Sequence, residues 1–271
     1  MPRDDAIRAR LPRQTGSRRS AERPLRVLLL AGTIEARQIA AHLAREAGVL
    51  TRASLARAER RPIPLGVPIR IGGWGGRAPF SDWLDRERIG AVIDATHPFA
   101  SRMSHRAAEV TDDLGIDHLQ FLRPAWRPGQ GDRWTFLTDA ADAARHIAPD
   151  ARVYLVTGRQ GLPDFAPLAG RTVHCHLLDT PTDPFPFGTG GYVGARLAGT
   201  ATVEDEIATL SRLGVDWLVV HNTGGAEGHA RLIAARTLGL RVAMLRRPAQ
   251  PEGVARCETL SEVVAWVRRR L

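Results

Sequence analysis

The sequence predicts an α/β protein made of two Rossmann-like, doubly wound units with mainly parallel sheets and a cleft between them. Three observations carry this. Short apolar runs of strand length alternate with amphipathic helical stretches. The alternation occurs twice, on either side of a Pro/Gly-rich segment at residues 123–134. Several runs end in Gly or polar residues, at Gly32-Thr33, Asp94-Ala95-Thr96-His97, Thr157-Gly158 and His221-Asn222, and open α/β sheets collect ligands beyond such strand ends. The expected layout is a disordered Arg-rich extension at 1–23, a first unit at 24–125 and a second at 126–271.

Taken in order, Arg26–Ala31 is a buried strand and Gly32-Thr33 a tight turn. Ala36, Ile39, Ala40 and Leu43 then mark one helix face, with Gly48 as the stop. A strand at about 50–55 leads into a basic loop with Arg57, Arg60 and Arg61. Ile69–Ile71 precedes Gly72-Gly73-Trp74-Gly75-Gly76, a loop whose glycines suit close approach of a ligand or positive φ, and Ser81 reads as the cap of the next helix. Val92–Ala95 is a buried strand, and Pro98 suits the first turn of a helix running from about 99 to 114. A strand near 118–122 closes the first unit. In the second, strands are expected at 153–156, 173–178, 191–197 and 217–220, with 241–245 as the last. Thr202 caps a helix to about Leu213, and Leu232, Ala235 and Leu238 mark the face of another. Thr259-Leu260-Ser261-Glu262 is a capping box for a terminal helix. The segments 88–94 and 212–218 echo each other, each leading a helix end into a strand that ends in His.

Composition narrows the chemistry. The chain has 271 residues, 44% of them hydrophobic, enough for a substantial core. No apolar run approaches the ~20 residues that span a bilayer, and residues 1–23 lack the apolar middle of a secretory signal. Two cysteines without metal or disulfide spacing suit a reducing cytoplasm, and no metal site is expected. Of the net charge of +9, residues 1–23 supply seven Arg against Asp4, Asp5 and Glu22, so the folded part is only mildly basic. Aromatic residues do not interleave with the basic ones, which argues against nucleic-acid binding and for a basic cleft holding a small polyanion. All 38 basic residues are Arg. The absence of Lys excludes a Schiff-base lysine and a P-loop lysine together.

The candidate site residues follow from the strand ends. Gly32 and Thr33 open a helix where backbone N–H groups can hold phosphate. An Arg beyond the second strand would accommodate a ribose 2′-phosphate, and a solvated basic loop is the other reading. His97 and His221 are the candidates for proton transfer, against a plain hydrogen-bonding role at a capped turn. His174 and His176 share one strand face but are too few for zinc. Arg159 offers a planar fork for a carboxylate. No nucleophile elbow or telling carboxylate pair is present.

Six ordered blocks resemble the precorrin-6A reductase family of cobalamin biosynthesis. They are Leu30-Ala31-Gly32-Thr33-Ile34-Glu35-Ala36, Ile71–Gly76, Ile93–Ala100, Arg123-Pro124-Ala125-Trp126, Thr157-Gly158-Arg159-Gln160 and His221-Asn222-Thr223-Gly224-Gly225. The resemblance runs from about residue 25 to 270 and implies NADPH and a tetrapyrrole meeting in the cleft. Hydride would go to C19 of precorrin-6A and a proton to C18, giving precorrin-6B. It implies a cofactor site at Gly32, Thr33, Glu35, Arg57, Gly72, Gly73, Trp74, Gly75, Gly76, Thr96 and His97. Substrate contacts would come from Arg102, Arg123, Arg159, Gln160, Asn222, Thr223, Gly224 and Gly225, with Arg127 a further fork in the cleft. No nucleic-acid or membrane partner is implied, and room is left for hand-over contacts with neighbouring pathway enzymes. The family's Gly-Arg-Thr after the second strand is replaced here by Arg57-Ala58-Glu59, and its Lys-Asn-Ser-Gly-Gly by His221-Asn222-Thr223-Gly224-Gly225. The 2′-phosphate ligand therefore stays open among Arg57, Arg60 and Arg61. The competing function is a two-unit protein that binds a nucleotide or small ligand without chemistry.

Overall fold

The computed structural model describes residues 23–56, 64–177, 184–194 and 201–271. They form two six-stranded sheets in which every pairing is parallel. The first contains β1 (Leu25–Ala31), β2 (Val49–Leu55), β3 (Ile69–Ile71), β4 (Ala91–Ala95) and β5 (Asp117–Phe121). The second contains β6 (Arg133–Leu137), β7 (Arg152–Val156), β8 (Thr172–Leu177), β9 (Thr189–Gly194), β10 (Trp217–His221) and β11 (Arg241–Leu245). A last strand, β12 (Ala255–Cys257), pairs with β5 and so returns to the first sheet. The orders are β12-β5-β4-β1-β2-β3 and β6-β11-β10-β7-β8-β9.

The central strands are apolar because helices cover both faces of each sheet. Val27 to Ala31 and all of β4 are buried, and their alternate side chains enter separate cores on the two sides of the sheet. Helix α1 (Ile34–Leu43) is capped by Thr33, whose Oγ1 accepts from Ala36 N at 3.1 Å, and buries Ala36, Ile39, Ala40 and Leu43 as the spacing predicts. Helices α5 (Val203–Leu213) and α7 (Leu260–Arg268) both begin with reciprocal capping boxes, Thr202 with Asp205 and Thr259 with Glu262. Helix α6 (His229–Thr237) packs Leu232, Ala234 and Ala235 on the second sheet, and the short α4 (Ala143–His146) and a 3₁₀ stretch (Arg159–Leu168) complete that unit.

Several local expectations are corrected. Helix α1 ends at Leu43, and Gly48, at φ 77°, turns the chain into β2 instead of stopping the helix. Helix α2 (Arg77–Arg86) starts behind Gly76, so Ser81 is interior to it. Pro79 lies in its first turn, where a missing N–H costs nothing, so the helix is free to begin early. Helix α3 (Ser101–Asp113) starts three residues after Pro98, which instead occupies a turn closed by Ala100 N donating to His97 O at 2.7 Å. Strands β6 and β12 were not expected. The placement of everything after 126 in the second unit does not extend to the C-terminus, because β12 and α7 belong to the first sheet. Val263, Trp266 and Val267 fill the same core as Val27, Leu29 and Ile39. Each sheet thus takes its edge strand beyond β5 or β11 from chain that has just crossed from the other, and two crossovers, at 122–132 and 246–254, join the halves.

Candidate functional site

In the first sheet the chain steps from β1 outward to β3, then returns to β4 and β5 on the other side; in the second it does the same from β7 to β9 and back to β10 and β11. The switch points therefore lie between β1 and β4 and between β7 and β10, where parallel sheets open a crevice at their carboxyl ends. The two switch points face each other. The ring of Phe99, beyond β4, stacks on His221 at the tip of β10 with centroids 4.0 Å apart and an 18° tilt, and His97 lies 6.4 Å from His221. A Cβ placed on Gly161, after β7, would lie 3.5 Å from Thr157 and 3.9 Å from His221 Cε1. Thr157 Oγ1 is buried there without a hydrogen-bond partner.

The turn after β4 is held from within. Asp94, 1% exposed, accepts at Oδ1 from Thr96 N (3.0 Å) and Thr96 Oγ1 (2.7 Å). Phe99 N donates to His97 Nδ1 at 3.2 Å, so the neutral ring carries its proton on Nε2. Beside it, Thr33 Oγ1 donates to Ala95 O at 3.1 Å, tying the β1 turn to β4. A Cβ on Gly32 would come within 3.3 Å of His97 N, so the absent side chain is what lets these tips lie side by side. Burial, then Arg123, then Arg247 push the His97 pKa down to about 4; burial and then His97 push that of His221 down to about 4. Both rings are neutral at pH 7.

The structure brings together Gly32, Thr33, Glu35, Thr96, His97, Arg123, His221, Asn222, Thr223, Gly224 and Gly225. Several have roles other than those expected. Arg123, 5% exposed, does not offer its fork outward: Nη1 pairs with Glu35 Oε2 at 2.6 Å and Nε donates to Thr223 O at 2.8 Å. Asn222, also 5% exposed, accepts from Trp126 N (2.8 Å) and donates to Trp126 O (3.0 Å). Gly224 and Gly225, at φ 67° and 73°, leave no room for a side chain: a Cβ would lie 2.0 Å from Pro124 O at the first and 2.6 Å from Arg123 Cδ at the second. The His221–Gly225 motif is thus a clasp on the first crossover, in which Asn222, Gly224 and Gly225 are fixed by internal contacts.

Other candidates stand apart. Gly72–Gly76 lies beyond β3, at the far edge of the first sheet. There Arg70 stacks 3.7 Å over Trp74 and donates to Gly72 O (2.6 Å) and Gly73 O (2.8 Å), and Cβ atoms on Gly72 or Gly73 would meet nothing within 4 Å. Trp74 itself packs in the core against Phe80 and Trp83. Arg102, Arg127, Arg159 and Gln160 are exposed. Arg57, Arg60 and Arg61 lie outside the described residues. His176 is committed to Tyr154 Oη at 2.6 Å and Arg231 at 3.3 Å, and no cluster of three or more metal-ligating side chains occurs among the described residues.

Sequence reasoning missed Phe99, Arg70 and Arg247. Arg247 follows β11 and donates Nε to Asn222 O, Nη1 to Arg123 O and Nη2 to Thr223 O, each at 2.8 Å. An Arg next to Pro248 just past a strand end was its one visible signal.

Two parallel sheets whose switch points meet beside a pair of crossovers define a two-unit Rossmann-like protein. The chain belongs to the precorrin-6x reductase family: the family model described as "Precorrin-6x reductase CbiJ/CobK" matches residues 26–268. It is 41% identical over 244 residues to precorrin-6A reductase of Rhodobacter capsulatus, covering 89% of this chain and 95% of that one. It is 38% identical over 246 residues to that of Mycobacterium tuberculosis H37Rv, covering 89% and 97%. A cobalt-precorrin-6A reductase of Priestia megaterium is 27% identical over 250 residues, covering 88% and 96%. A solved structure described as CobK precorrin-6A reductase superposes with a TM-score of 0.82 at 38% identity, covering 90% of this chain and 97% of its own. The expected fold and family are both borne out, and among the described residues no helix is long and apolar enough to cross a membrane.

Proposed function

We propose that this protein reduces precorrin-6A to precorrin-6B with NADPH, hydride going to C19 and a proton to C18 of the macrocycle. The observation that carries the reading is the meeting of the two switch points, with His97 and Phe99 of the first unit against His221 of the second, in a member of this family. The higher identity to the precorrin-6A than to the cobalt-precorrin-6A reductases supports the metal-free macrocycle as substrate.

The residues fit the cofactor. The side-chain-free cradle of Gly32 at the start of α1 suits a pyrophosphate, with N–H groups and the helix dipole toward the anion. The open space beside Gly72 and Gly73 lets a ligand approach backbone. NADPH, when bound, supplies the hydride. The chain's own residues position and dehydrate. Thr33 and Thr96 hold the two tips in register, and Phe99 and His221 form an apolar floor at the hinge end of the cleft. Neutral His97 presents Nε2–H as a donor and, with its pKa near 4, is not an acid stocked with a proton to give at pH 7. Solvent is the proton source this electrostatics favours. Exposed Arg102 and Arg159 suit the peripheral carboxylates of a precorrin.

The test is to mix purified protein, NADPH and precorrin-6A and follow the nicotinamide absorbance with the mass of the product. Loss of absorbance with a gain of two hydrogens is expected, with NADH a poorer donor. Cofactor binding with no loss of absorbance would make the protein a binder without chemistry.

A further inference from the structure

We propose that Glu35 and Arg123 are positioning residues that couple the cofactor end of the first unit to the clasp on the crossover, so that dinucleotide bound at the β1 tip tightens the loop at 222–226 in the second unit. This rests on reading that tip as the cofactor site. The physical path is continuous. Glu35 lies in the first turn of α1, just beyond the cap residue Thr33. Its carboxylate receives Arg123 Nη1 at 2.6 Å, with the Arg123 side chain 6% exposed. Arg123 Nε goes on to Thr223 O, an oxygen shared with Arg247 Nη2, and Arg247 also grips Asn222 O and Arg123 O. Gly225 presses directly on the ion pair: a Cβ there would stand 2.6 Å from Arg123 Cδ and 3.1 Å from Glu35 Oε1. One carboxylate of the first unit, a guanidinium from each crossover and a loop of the second unit form a single network.

Its charge gives the coupling a sign. Burial, and then the neighbouring Arg123, lower the pKa of Arg247, while Glu258 acts on it in the opposite sense through space. Among the described residues, Glu35 is the one carboxylate in an ion pair with either guanidinium. Two cations, Arg123 buried and Arg247 half-buried, against one contacting anion leave a positive surplus among the contacting groups, and charges withdrawn from solvent are poorly screened. A phosphate anion arriving at the amino end of α1 offsets that surplus, lowers the repulsion between Arg123 and Arg247, and so favours the clasped arrangement. An Arg is needed for this, because only its fork reaches a carboxylate and a carbonyl at once.

The experiment is hydrogen–deuterium exchange on the full-length chain with and without saturating NADPH, comparing peptides covering 32–36 and 222–226. In the wild type both should slow by at least about fivefold, the lower end of usual site-to-site coupling. In Glu35→Gln the first segment should still slow, while the second changes by less than about twofold. Arg123→Lys, which keeps the charge and loses the fork, should behave like Glu35→Gln. If the variants fail to fold, the wild-type pair of segments decides alone. Slowing at 32–36 with none at 222–226 in the wild type overturns the coupling and leaves the cofactor reading standing. Slowing at 222–226 that survives in both variants also overturns it, showing direct contact with the ligand. No slowing at either segment overturns the cofactor reading itself, and the coupling with it.

Discussion

Gly224→Ala is the sharpest test of whether the His221–Gly225 motif is a clasp. The residue sits at φ 67°, and its new Cβ would lie 2.0 Å from Pro124 O and 2.5 Å from Arg247 Nη2. The left-handed conformation costs an L-residue about 1–2 kcal/mol, and an overlap with backbone forces a rearrangement costing about 1–3 kcal/mol more. Shifting the loop also strains the Asn222–Trp126 and Arg247 bonds, each worth roughly 1 kcal/mol. The sum is about 4–7 kcal/mol, a large part of the roughly 5–15 kcal/mol that holds a domain together. Urea unfolding followed by far-UV circular dichroism should therefore show a midpoint lower by more than about 1 M, for a slope of up to about 3 kcal/mol/M. Gly73→Ala is the matched control. A Cβ at Gly73 meets nothing within 4 Å and its φ is not in the left-handed region, so stability should stay within about 0.5–1 kcal/mol of wild type. NADPH affinity should fall instead, because the methyl enters the space assigned to the ligand. A Gly224→Ala protein with a wild-type midpoint would refute the clasp.

Three other outcomes follow from the same structure. The folded-state pKa values of His97 and His221 near 4 and of His176 near 3 lie below the ~6.5 of an unfolded chain. Stability is then fully present above pH 6.5 and is lost as pH falls from there through 4, by up to about 1.4 kcal/mol per pH unit for each ring; an unfolding midpoint unchanged between pH 7 and 5 would contradict the buried, neutral state. His97→Ala should raise KM for NADPH or precorrin-6A while kcat stays within about tenfold, since the ring shapes the turn and donates from Nε2; a collapse of kcat at unchanged KM would restore it as the proton donor. Removing residues 249–271 takes Val263, Trp266 and Val267 out of the first core, a loss of about 5–9 kcal/mol at roughly 1.5–3 kcal/mol each; a soluble, cooperatively unfolding product would show that the first unit folds without its returning segment.

What could be read from the sequence was local, and what was missed was mostly non-local. The helix face Ala36, Ile39, Ala40 and Leu43, the cap at Thr202, the capping box at Thr259 and the buried run of β4 depend on residues a few positions apart, so local pattern reported them. β12 is three residues long and acquires its meaning only by pairing with β5 across more than a hundred positions. Arg123 looked like a fork for a substrate carboxylate because Glu35 and Thr223, its partners, are 88 and 100 residues away. In the sequence Gly224 and Gly225 read only as substrate contacts, because Pro124, whose oxygen a Cβ on Gly224 would strike, lies a hundred residues away.

The reciprocal edge strands explain why the floor of the cleft lies where it does. Because β6 joins the second sheet beside β11 and β12 joins the first beside β5, both crossovers leave from the tips of β5 and β11, and β4 and β10 are the next strands inward in each sheet. Those are the tips already in contact through Phe99 and His221. The parts of the two sheets most distant from the crossovers are the far edges, where Gly72–Gly76 lies on one side and β9 on the other. The stacked Phe99–His221 pair near the crossovers and the open glycine loop at the far edge are the two features on which the proposed binding of a planar macrocycle rests. The echo between residues 88–94 and 212–218 marks the two strands that build this floor, each ending in a histidine held neutral by burial. That neutrality, set by burial, argues against an acid–base couple at pH 7.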